Sequence, residues 1–253
     1  RHNYVARADS GWGGWGGDAV ENVTFVAVAV NPADVEPVMA DLANATAAAE
    51  NDSAEQVFVT VVAGITIAYF ESKLPAGTPV VRAMPNAAAL VGAGVTALAK
   101  GRFVTPQQLE EVSALFDAVG GVLTVPESQL DAVTAVSGSG PAYFFLLVEA
   151  LVDAGVGVGL SRQVATDLAA QTMAGSAAML LERMDQDQGG ANGELMGLRV
   201  DLTASRLRAA VTSPGGTTAA ALRELERGGF RMAVDAAVQA AKSRSEQLRI
   251  TPE

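Results

Sequence analysis

The sequence predicts an α/β fold in which a parallel β-sheet is followed by an all-helical domain. In the first half of the chain, short runs rich in Val and Phe alternate with segments of helical periodicity. Continuous apolar runs of this length are typical of strands buried on both faces, and strand–helix alternation is typical of a parallel sheet. Beyond residue 126 the strand pattern stops and only helical segments follow. The predicted domains are therefore residues 1–126 and 127–253.

The sheet half contains a series of apolar runs that end at Pro, Asn or Gly. The strands are predicted at residues 24–30, 56–63, 79–84, 94–99 and 122–125. Helical periodicity predicts helices at residues 32–49, 66–73 and 107–119, with a short helix start at 18–21. The predicted strands and helices alternate along this half, as a parallel sheet requires.

The ends of the first three strands carry the polar and turn-forming residues. They are Asn31-Pro32, Ala63-Gly64 and Pro85-Asn86. In an open parallel sheet the carboxyl ends of the strands line the ligand crevice, so these ends predict a binding edge. The alternative is that Pro and Gly only terminate the strands.

The helical half is apolar on more than one helix face. Its helices are predicted at residues 128–136, 140–155, 161–184, 202–211, 217–227 and 230–248, with a polar loop at 185–193. Met173, Met179 and Met184 lie along a helix that is apolar nearly all round, which is typical of a core or a subunit interface. So many Ala and Val side chains favour a second subunit covering these helices.

Two loops of this half combine hydroxyls, glycines and a proline next to a helix. Residues 137–143 read Ser-Gly-Ser-Gly-Pro-Ala-Tyr, and residues 211–218 read Val-Thr-Ser-Pro-Gly-Gly-Thr-Thr. Free N–H groups at a helix N-terminus, with hydroxyls beside them, suit a small anion such as a carboxylate. An ordinary N-cap explains the second loop equally well, and close helix packing explains the glycines of the first.

Composition argues against several classes of site. The chain of 253 residues has a net charge of −11 and no basic stripe, which argues against nucleic acid as a partner. It has no cysteine, and its one histidine is His2, so disulfides, a Cys nucleophile, a Ser-His-Asp triad and a zinc site are not expected. No metal is predicted. Neither an uninterrupted apolar run of about 18 residues nor a signal peptide is visible.

A glycine-rich segment at residues 11–17 has the composition of a phosphate-binding loop. Such a loop follows a strand and opens a helix, and no predicted strand precedes these glycines. Trp12 and Trp15 would also crowd the close backbone approach that glycine allows. We therefore do not predict a phosphate site there.

Four stretches together resemble the pyrroline-5-carboxylate reductases. Residues 212–218, followed by Leu-Glu-Arg-Gly-Gly-Phe at 225–230, match the C-terminal motif of that family, and residues 137–143 match its Ser-Gly-Ser-Gly-Pro-Ala-Tyr loop in full. Residues 29–32 and 82–86 resemble two of its strand ends. The resemblance extends from about residue 18 to the C-terminus.

The resemblance implies a partial Rossmann-type dinucleotide-binding domain in residues 1–126 and a substrate-binding, dimerisation domain in residues 127–253. The implied enzyme is an oxidoreductase that transfers a hydride from NAD(P)H to 1-pyrroline-5-carboxylate and gives L-proline, the final step of proline biosynthesis. NADPH is the expected cofactor, with NADH as the alternative. The expected location is the cytoplasm, and the expected assembly is a dimer that associates further into decamers, with neither membrane nor nucleic acid as a partner.

The resemblance also assigns roles to single residues. The substrate carboxylate is expected at the N–H groups around Gly216 and Thr217 and at the Ser213 hydroxyl. Thr218 is expected to bond the ring nitrogen and assist its protonation, so Ser213 and Thr218 are the predicted catalytic residues. Glu127 is expected to favour the iminium form of the substrate; the alternative is an exposed charge at a domain junction. The predicted substrate set is Glu127, Ser213, Gly215, Gly216, Thr217 and Thr218, and the predicted cofactor set is Ala29, Val30, Asn31, Pro32, Ala63, Gly64, Asn86 and Ser139.

The chain departs from the family pattern in three places. The strand, glycine-rich loop and helix that open the family's nucleotide domain are not found, and the chain is expected to begin about 40 residues late. Asn31 stands where the family has Lys. Thr203-Ala204 and Ala210 stand where the family has His-Pro and Asn.

Two other functions stay open on the sequence. A different NAD(P)-dependent reductase, acting on another imine or on a β-hydroxy acid, would share the fold. The hydroxy-acid enzyme needs an acid/base Lys, and Lys242 is the only lysine after Lys100 and lies past the two loops. A non-catalytic helical oligomerisation module would explain the apolar helices and the missing phosphate loop.

Overall fold

The computed structural model describes residues 24–48, 56–188, 194–195, 198–199 and 203–249. The glycine-rich segment 11–17 and the helix start predicted at 18–21 lie outside the described residues. The chain separates into two compact units, one made of Arg1–Pro141 with Ala237–Glu253 and the other of Ala142–Ala236. The domain boundary between residues 126 and 127 stays a prediction.

The first unit contains a five-stranded sheet in the order β1-β2-β3-β4-β5. Its strands are β1 (Phe25–Val28), β2 (Val57–Thr60), β3 (Val80–Met84), β4 (Gly94–Lys100) and β5 (Gly120–Thr124). Its helices are α1 (Val35–Ala48), preceded by a 3-10 turn at Pro32–Asp34, then α2 (Ile67–Lys73), α3 (Pro106–Asp117) and α4 (Leu130–Val133). The predicted alternation of strands and helices is confirmed.

The direction of β4 departs from the predicted parallel sheet. β1, β2 and β3 are parallel, but β4 pairs antiparallel with β3, and β5 runs parallel to β4. The connection explains the reversal, because only residues 85–93 separate β3 from β4, and Ala87–Val91 form a 3-10 turn there. A parallel crossover needs about a dozen residues or more. α3 supplies such a crossover between β4 and β5.

Helices cover both faces of the sheet. Successive strand residues point to opposite faces, so neighbouring side chains enter different cores. Val80 lies in one core with Met39 of α1 and Phe70 of α2, and Val81 lies in the other with Val112 of α3. Burial of β2 and β3 on both faces explains why their sequences are continuously apolar.

The second unit is built mainly from helices. They are α5 (Gly140–Gly157), α6 (Arg162–Gln188), α7 (Thr203–Ala210), α8 (Thr217–Arg227) and α9 (Phe230–Gln247). α5 begins in the first unit, and α9 ends in it from Ala237 onward. The helices that the sequence predicts in this half are present. A short antiparallel pair, β6 (Glu194–Leu195) with β7 (Leu198–Arg199), was not predicted, because each strand has only two residues.

α6 is longer than the sequence predicts. The predicted loop begins at residue 185, whereas the helix continues to Gln188. Gln186 explains part of the difference, because its Nε2 donates to Glu182 Oε1 at 3.4 Å and its Oε1 accepts from Arg183 Nη1 at 3.2 Å. Polar side chains that bond three and four residues apart suit an exposed helix as well as a loop.

Few apolar side chains of the second unit are buried. Val152, Ala165 and Ala169 form a small cluster, with Val148 partly buried beside them. Many large apolar side chains are exposed instead: Phe144, Phe145, Leu146, Leu147, Leu151, Val164, Leu168, Met179, Leu181 and Met232. Apolar exposure on this scale is typical of an interaction surface.

One helical run of the described residues, Glu127–Gly157, is long and apolar enough to cross a membrane by length and composition alone. The sequence test missed the run because Ser, Gly and single carboxylates interrupt its apolar residues. Core helices of proteins that do not span membranes reach the same composition, so length and composition do not distinguish the two cases.

Candidate active site

Three strands end side by side at one edge of the sheet. β1, β2 and β3 are parallel, and Val28, Thr60 and Arg82 are aligned across them. The residues that follow, 29–32, 61–64 and 84–86, therefore lie next to one another, and we call them the strand-end edge. This edge contains every predicted cofactor residue except Ser139. Ala29, Asn31, Pro32 and Ala63 are exposed there.

Asn86 is fixed by the strand that follows it. Its Oδ1 accepts a hydrogen bond from Val95 N at 3.1 Å, and its backbone oxygen accepts one from Ala89 N at 3.1 Å. Asn86 thus holds the 3-10 turn between β3 and β4 together. The strand-end position alone did not reveal this second role.

Gly64 has a packing reason to be glycine. Its φ of 77° lies in the left-handed region, where a side chain is disfavoured. A Cβ at this position would also lie 2.5 Å from Leu248 O, so the C-terminal part of the chain approaches the Gly64 backbone directly. The sequence suggested a ligand or the end of the strand as the reason for Gly64, and neither includes this contact.

The segment after β5 contains three kinds of helix where a single one was predicted at 128–136. Glu127–Gln129 form a 3-10 turn, α4 follows, and Thr134–Gly138 form a π-helical turn in which Ser139 N donates to Thr134 O at 2.8 Å. π-helical turns occur mostly as single turns within helices and are frequent at functional sites. A Cβ on Gly138 would lie 2.9 Å from Met84 Cε, so this glycine lets the turn approach the end of β3.

Ser137 has a buried hydroxyl that is available to a ligand. Among the residues that the structure describes, its Oγ is buried and has no hydrogen-bond partner. A buried hydroxyl without a partner is costly, so native proteins rarely leave one. Its neighbours Gly138 and Ser139 belong to the turn beside Met84, so a polar group bound at the strand-end edge would be the natural partner. These features fit a nicotinamide cofactor. Ser137 lies in the 137–143 motif, but only Ser139 was singled out there.

The Glu127 carboxylate is hydrogen-bonded to two other parts of the first unit. Its Oε1 accepts hydrogen bonds from Ile67 N at 2.7 Å, at the start of α2, and from Arg82 Nη1 at 3.1 Å. The Arg82 side chain is 8% exposed, so this buried cation is paired with Glu127. The contacts join β3, α2 and the turn at 127–129, and they differ from the exposed junction charge of the alternative interpretation.

Asp131 forms a second buried contact that the sequence analysis did not identify. It is 4% exposed, and its carboxylate accepts hydrogen bonds from Ser245 Oγ at 2.7 Å and from Arg249 Nη2. Burial raises the pKa of Asp131, but the hydrogen bonds and the charges of Arg249 and Arg82 outweigh it, so the pKa lies below its ordinary value. Partners more than a hundred positions away leave no local sequence signal.

The loop at 211–218 belongs to the second unit and joins α7 to α8. Gly215 has a φ of 71°, and Gly216 N donates to Ser213 O at 3.1 Å, which closes a tight turn. The first helical bond of α8 runs from Ala220 N to Gly216 O at 3.1 Å. The N–H groups of residues 217–219 therefore precede the helical ladder. The Gly216 N–H, predicted to bind the carboxylate, is already used inside the turn.

The hydroxyls of this loop are not spent on capping α8. Gly216 is the N-cap residue, and no side chain of the described residues caps the helix there. Thr212 Oγ1 donates back to Arg208 O at 2.6 Å, so the hydroxyl of Thr212 is used within the helix that precedes the loop. This bond distinguishes Thr212 from Ser213, Thr217 and Thr218. These free groups suit a small anion such as a carboxylate, while glycine is also an ordinary N-cap residue, so the geometry is compatible with both interpretations of the loop.

Comparison with known proteins gives the family. Residues 127–248 match the family model described as pyrroline-5-carboxylate reductase dimerisation. A pyrroline-5-carboxylate reductase of Mycobacterium tuberculosis strain H37Rv is 93% identical over the whole of this chain and 86% of its own length. The enzyme of the same name from Mycobacterium leprae is 80% identical over 93% of this chain and 80% of its own length.

Solved structures agree. The pyrroline-5-carboxylate reductase of Coxiella burnetii superposes with a TM-score of 0.79 at 32% identity, over 93% of this chain and 80% of that one. The Plasmodium falciparum pyrroline carboxylate reductase with NADP bound gives a TM-score of 0.74 at 27% identity, over 92% and 80%. Identity of this extent, across both the sheet and the helices, shows that the chain belongs to the pyrroline-5-carboxylate reductase family.

Proposed function

We propose that the protein reduces 1-pyrroline-5-carboxylate to L-proline with NADPH as the hydride donor, the final step of proline biosynthesis in the cytoplasm. The observation that carries this proposal is the 93% identity to a reductase of that name over every residue of the chain. The motif residues at 137–143 and 211–218 lie where a buried hydroxyl and an uncapped helix start provide groups for ligands. The resemblance found in the sequence points to the same reaction.

The strand-end edge is the proposed cofactor site. Residues 29–32, 63–64 and Asn86 would hold the nicotinamide half of NADPH, with Ser139 and the Ser137 hydroxyl on the side of the π-helical turn. When bound, NADPH supplies the hydride, and NADH has the same chemistry. The chain itself orients the cofactor and excludes water, which requires neither a thiol nor a histidine.

The loop at 211–218 is the proposed substrate site. The N–H groups of Thr217 and Thr218 and the Ser213 hydroxyl would bind the carboxylate, and Gly215 and Gly216 allow it to approach the backbone. The Thr218 hydroxyl would donate a hydrogen bond to the ring nitrogen, which gains a proton as the imine becomes an amine. The bonds of Glu127 favour an indirect contribution, in which it holds Arg82 and the start of α2 near the cofactor edge.

Self-association follows from the helical half. Its match to a dimerisation family model and its exposed apolar helices support a dimer, with residues 127–253 as the dimerisation domain and decamers as a further assembly. The apolar run Glu127–Gly157 lies wholly within the matched residues 127–248, so a subunit interface accounts for its composition.

Thr218→Ala tests the chemistry. We expect kcat, followed by the loss of NADPH absorbance with the cyclic imine, to fall by roughly 100-fold, because a donor aimed at the changing charge is lost. NADPH affinity, measured by fluorescence titration, should stay unchanged. Thr212→Ala is the matched control, because the Thr212 hydroxyl is bonded to Arg208 O.

The outcomes separate the proposal from its competitors. Unchanged turnover in the Thr218 variant would remove Thr218 from the mechanism. A wild-type protein that binds NADPH but reduces only another imine or a hydroxy acid would support a related reductase. A wild-type protein that binds no NADPH would support the non-catalytic oligomerisation module.

A further inference from the structure

The C-terminal part of the chain contacts the first unit at two points, one on the strand-end edge and one on α4. Residues 245–249, which we call the C-terminal turn, close α9 with bonds from Leu248 N to Arg244 O and to Ser245 O, both at 3.2 Å. At the first point, Leu248 O lies so close to Gly64 that a Cβ there would meet it at 2.5 Å. At the second, Ser245 and Arg249 donate hydrogen bonds to Asp131.

The second contact belongs to a cluster of four charges. Arg82 pairs with Glu127 and Arg249 pairs with Asp131, so two cations face two anions. The two pairs also interact electrostatically. Arg82 lowers the pKa of Asp131 and Glu127 raises the pKa of Arg249, and both effects are smaller than those of the direct partners. Without Arg249, the carboxylates of Glu127 and Asp131 would share one cation of this cluster, Arg82.

The position of Asp131 explains why this balance reaches the ligand groups. Asp131 lies in α4, directly before the π-helical turn that contains Ser137 and Gly138. A buried carboxylate that loses its partners must move towards water or bind a proton. Movement of α4 would carry the π-helical turn with it, because the two are consecutive turns of one helical segment.

We propose that the C-terminal turn is a positioning element for the cofactor edge: Ser245 and Arg249 fix Asp131, and so the π-helical turn, while Leu248 fixes the Ala63-Gly64 turn. The occupant of the edge, a nicotinamide cofactor, rests on the proposed function. In this arrangement Ser245, Leu248 and Arg249 act on the cofactor site through Asp131 and Gly64 and not by direct contact.

Arg249→Met tests the proposal, with Arg244→Met as the matched control. Arg244 lies near the end of α9, is exposed, and donates to Gln247 Oε1 at 3.3 Å and not to Asp131. In the intact protein we expect Arg249→Met to raise the KM for NADPH by roughly tenfold and to change kcat by less than about twofold, because binding geometry is lost while the reacting groups stay. Arg249→Lys should recover most of the affinity, because it restores the cation.

This pattern separates positioning from simple instability. A variant that folds poorly has less active enzyme, which lowers the apparent kcat and leaves KM unchanged. Fluorescence titration should show the same tenfold loss of NADPH affinity without any turnover. Hydrogen exchange of the ligand-free protein should be faster at residues 134–139 in Arg249→Met than in Arg244→Met.

Several results would overturn the proposal. It fails if Arg249→Met and Arg244→Met have equal KM values and equal exchange at residues 134–139. If Arg249→Met does not fold, Ser245→Ala replaces it, with an expected KM increase of about threefold, and an unchanged KM in that variant contradicts the proposal. A wild-type protein without imine reduction would instead contradict the proposed function, whereas faster exchange at 134–139 would still support the positioning role.

Discussion

The two units bury their apolar side chains to very different extents. The sheet unit has a core on each face, with Phe58, Val80 and Val81 at most 1% exposed. The helical unit has a cluster of only three buried residues, and Phe145 and Leu146 are 65% and 66% exposed. Because apolar burial is the main stabilising contribution to folding, the sheet unit can be stable on its own core. The helical unit needs another surface to cover it, and its match to a dimerisation model identifies that surface as a second copy.

The largest effect should come from placing a charge on the exposed helices. We expect Phe145→Asp to dissociate the protein to monomers, because an unpaired carboxylate would be buried where two copies meet. Sedimentation velocity gives the mass directly. Leu115→Asp is the control, since Leu115 is 50% exposed on α3 of the sheet unit. Equal masses for the Phe145 variant and the wild type would break the contrast between the units.

Truncating a core side chain of the sheet unit should lower the free energy of unfolding, whereas truncating an exposed side chain of the helical unit should not act in this way. Phe58→Ala should lower the free energy of unfolding by about 3–5 kcal/mol, because it leaves a cavity in a closely packed core. Urea denaturation measures the loss, which should be the same at every protein concentration. Phe144 of α5 is 57% exposed, so Phe144→Ala should instead make self-association weaker. A loss below about 1 kcal/mol for Phe58→Ala would contradict the two-sided core.

The same contrast explains how much of the fold the sequence predicts. Continuous apolar runs located β2 and β3 because both faces of these strands are buried. The antiparallel direction of β4 was missed because the apolar pattern of a strand does not show its direction. The connection at 85–93 did hold the information, since nine residues are too few for a parallel crossover. The helices of the second unit were predicted from periodicity, and their all-round apolar character indicated a surface that is completed by another chain.

The two units also differ in their ion pairs. Asp131 of the sheet unit is 4% exposed and is paired with the partly exposed Arg249. Arg227 and Glu224 of α8 form a pair in which both side chains are exposed, at 79% and 61%. Asp131→Asn should cost about 2 kcal/mol of unfolding free energy at neutral pH, as expected for hydrogen bonds to a buried charge. Glu224→Gln should cost less than about 0.5 kcal/mol. Equal losses would show that burial does not set the strength of these pairs.

The dependence on pH gives a second measure of the Asp131 contact. Its folded-state pKa lies below the ordinary value of 3.8, so its stabilising contribution is complete above that value and is lost as the pH falls through the folded-state pKa. The difference in unfolding free energy between wild type and Asp131→Asn should therefore stay constant from neutral pH down towards 4 and shrink below it. A difference that grows on acidification would contradict the depressed pKa.

The site was predictable where its chemistry is local in sequence. The motif at 137–143 and the loop at 211–218 were found because hydroxyls, glycines and proline cluster there. The roles of Arg82 and Asp131 depend on contacts with Glu127 and with Ser245 and Arg249, which fold from distant parts of the chain. Charged side chains on helices and strands usually face solvent, so no local pattern distinguishes Arg82 and Asp131 from ordinary surface charges.

The loss of a helix cap should have an equal and modest effect in the two units. Thr105 Oγ1 accepts a hydrogen bond from Gln108 N at 3.2 Å at the start of α3, and Ser161 Oγ accepts one from Val164 N at 3.3 Å at the start of α6. Thr105→Ala and Ser161→Ala should each cost about 1 kcal/mol in chemical denaturation, because a cap satisfies backbone N–H groups of its own helix only. Thr166→Ala is the control, because its hydroxyl bonds Arg162 O inside α6 and caps nothing. Equal costs would show that the units differ in packing and not in the intrinsic stability of their helices. A much larger cost for Ser161→Ala would mean that helix formation also limits the stability of the helical unit.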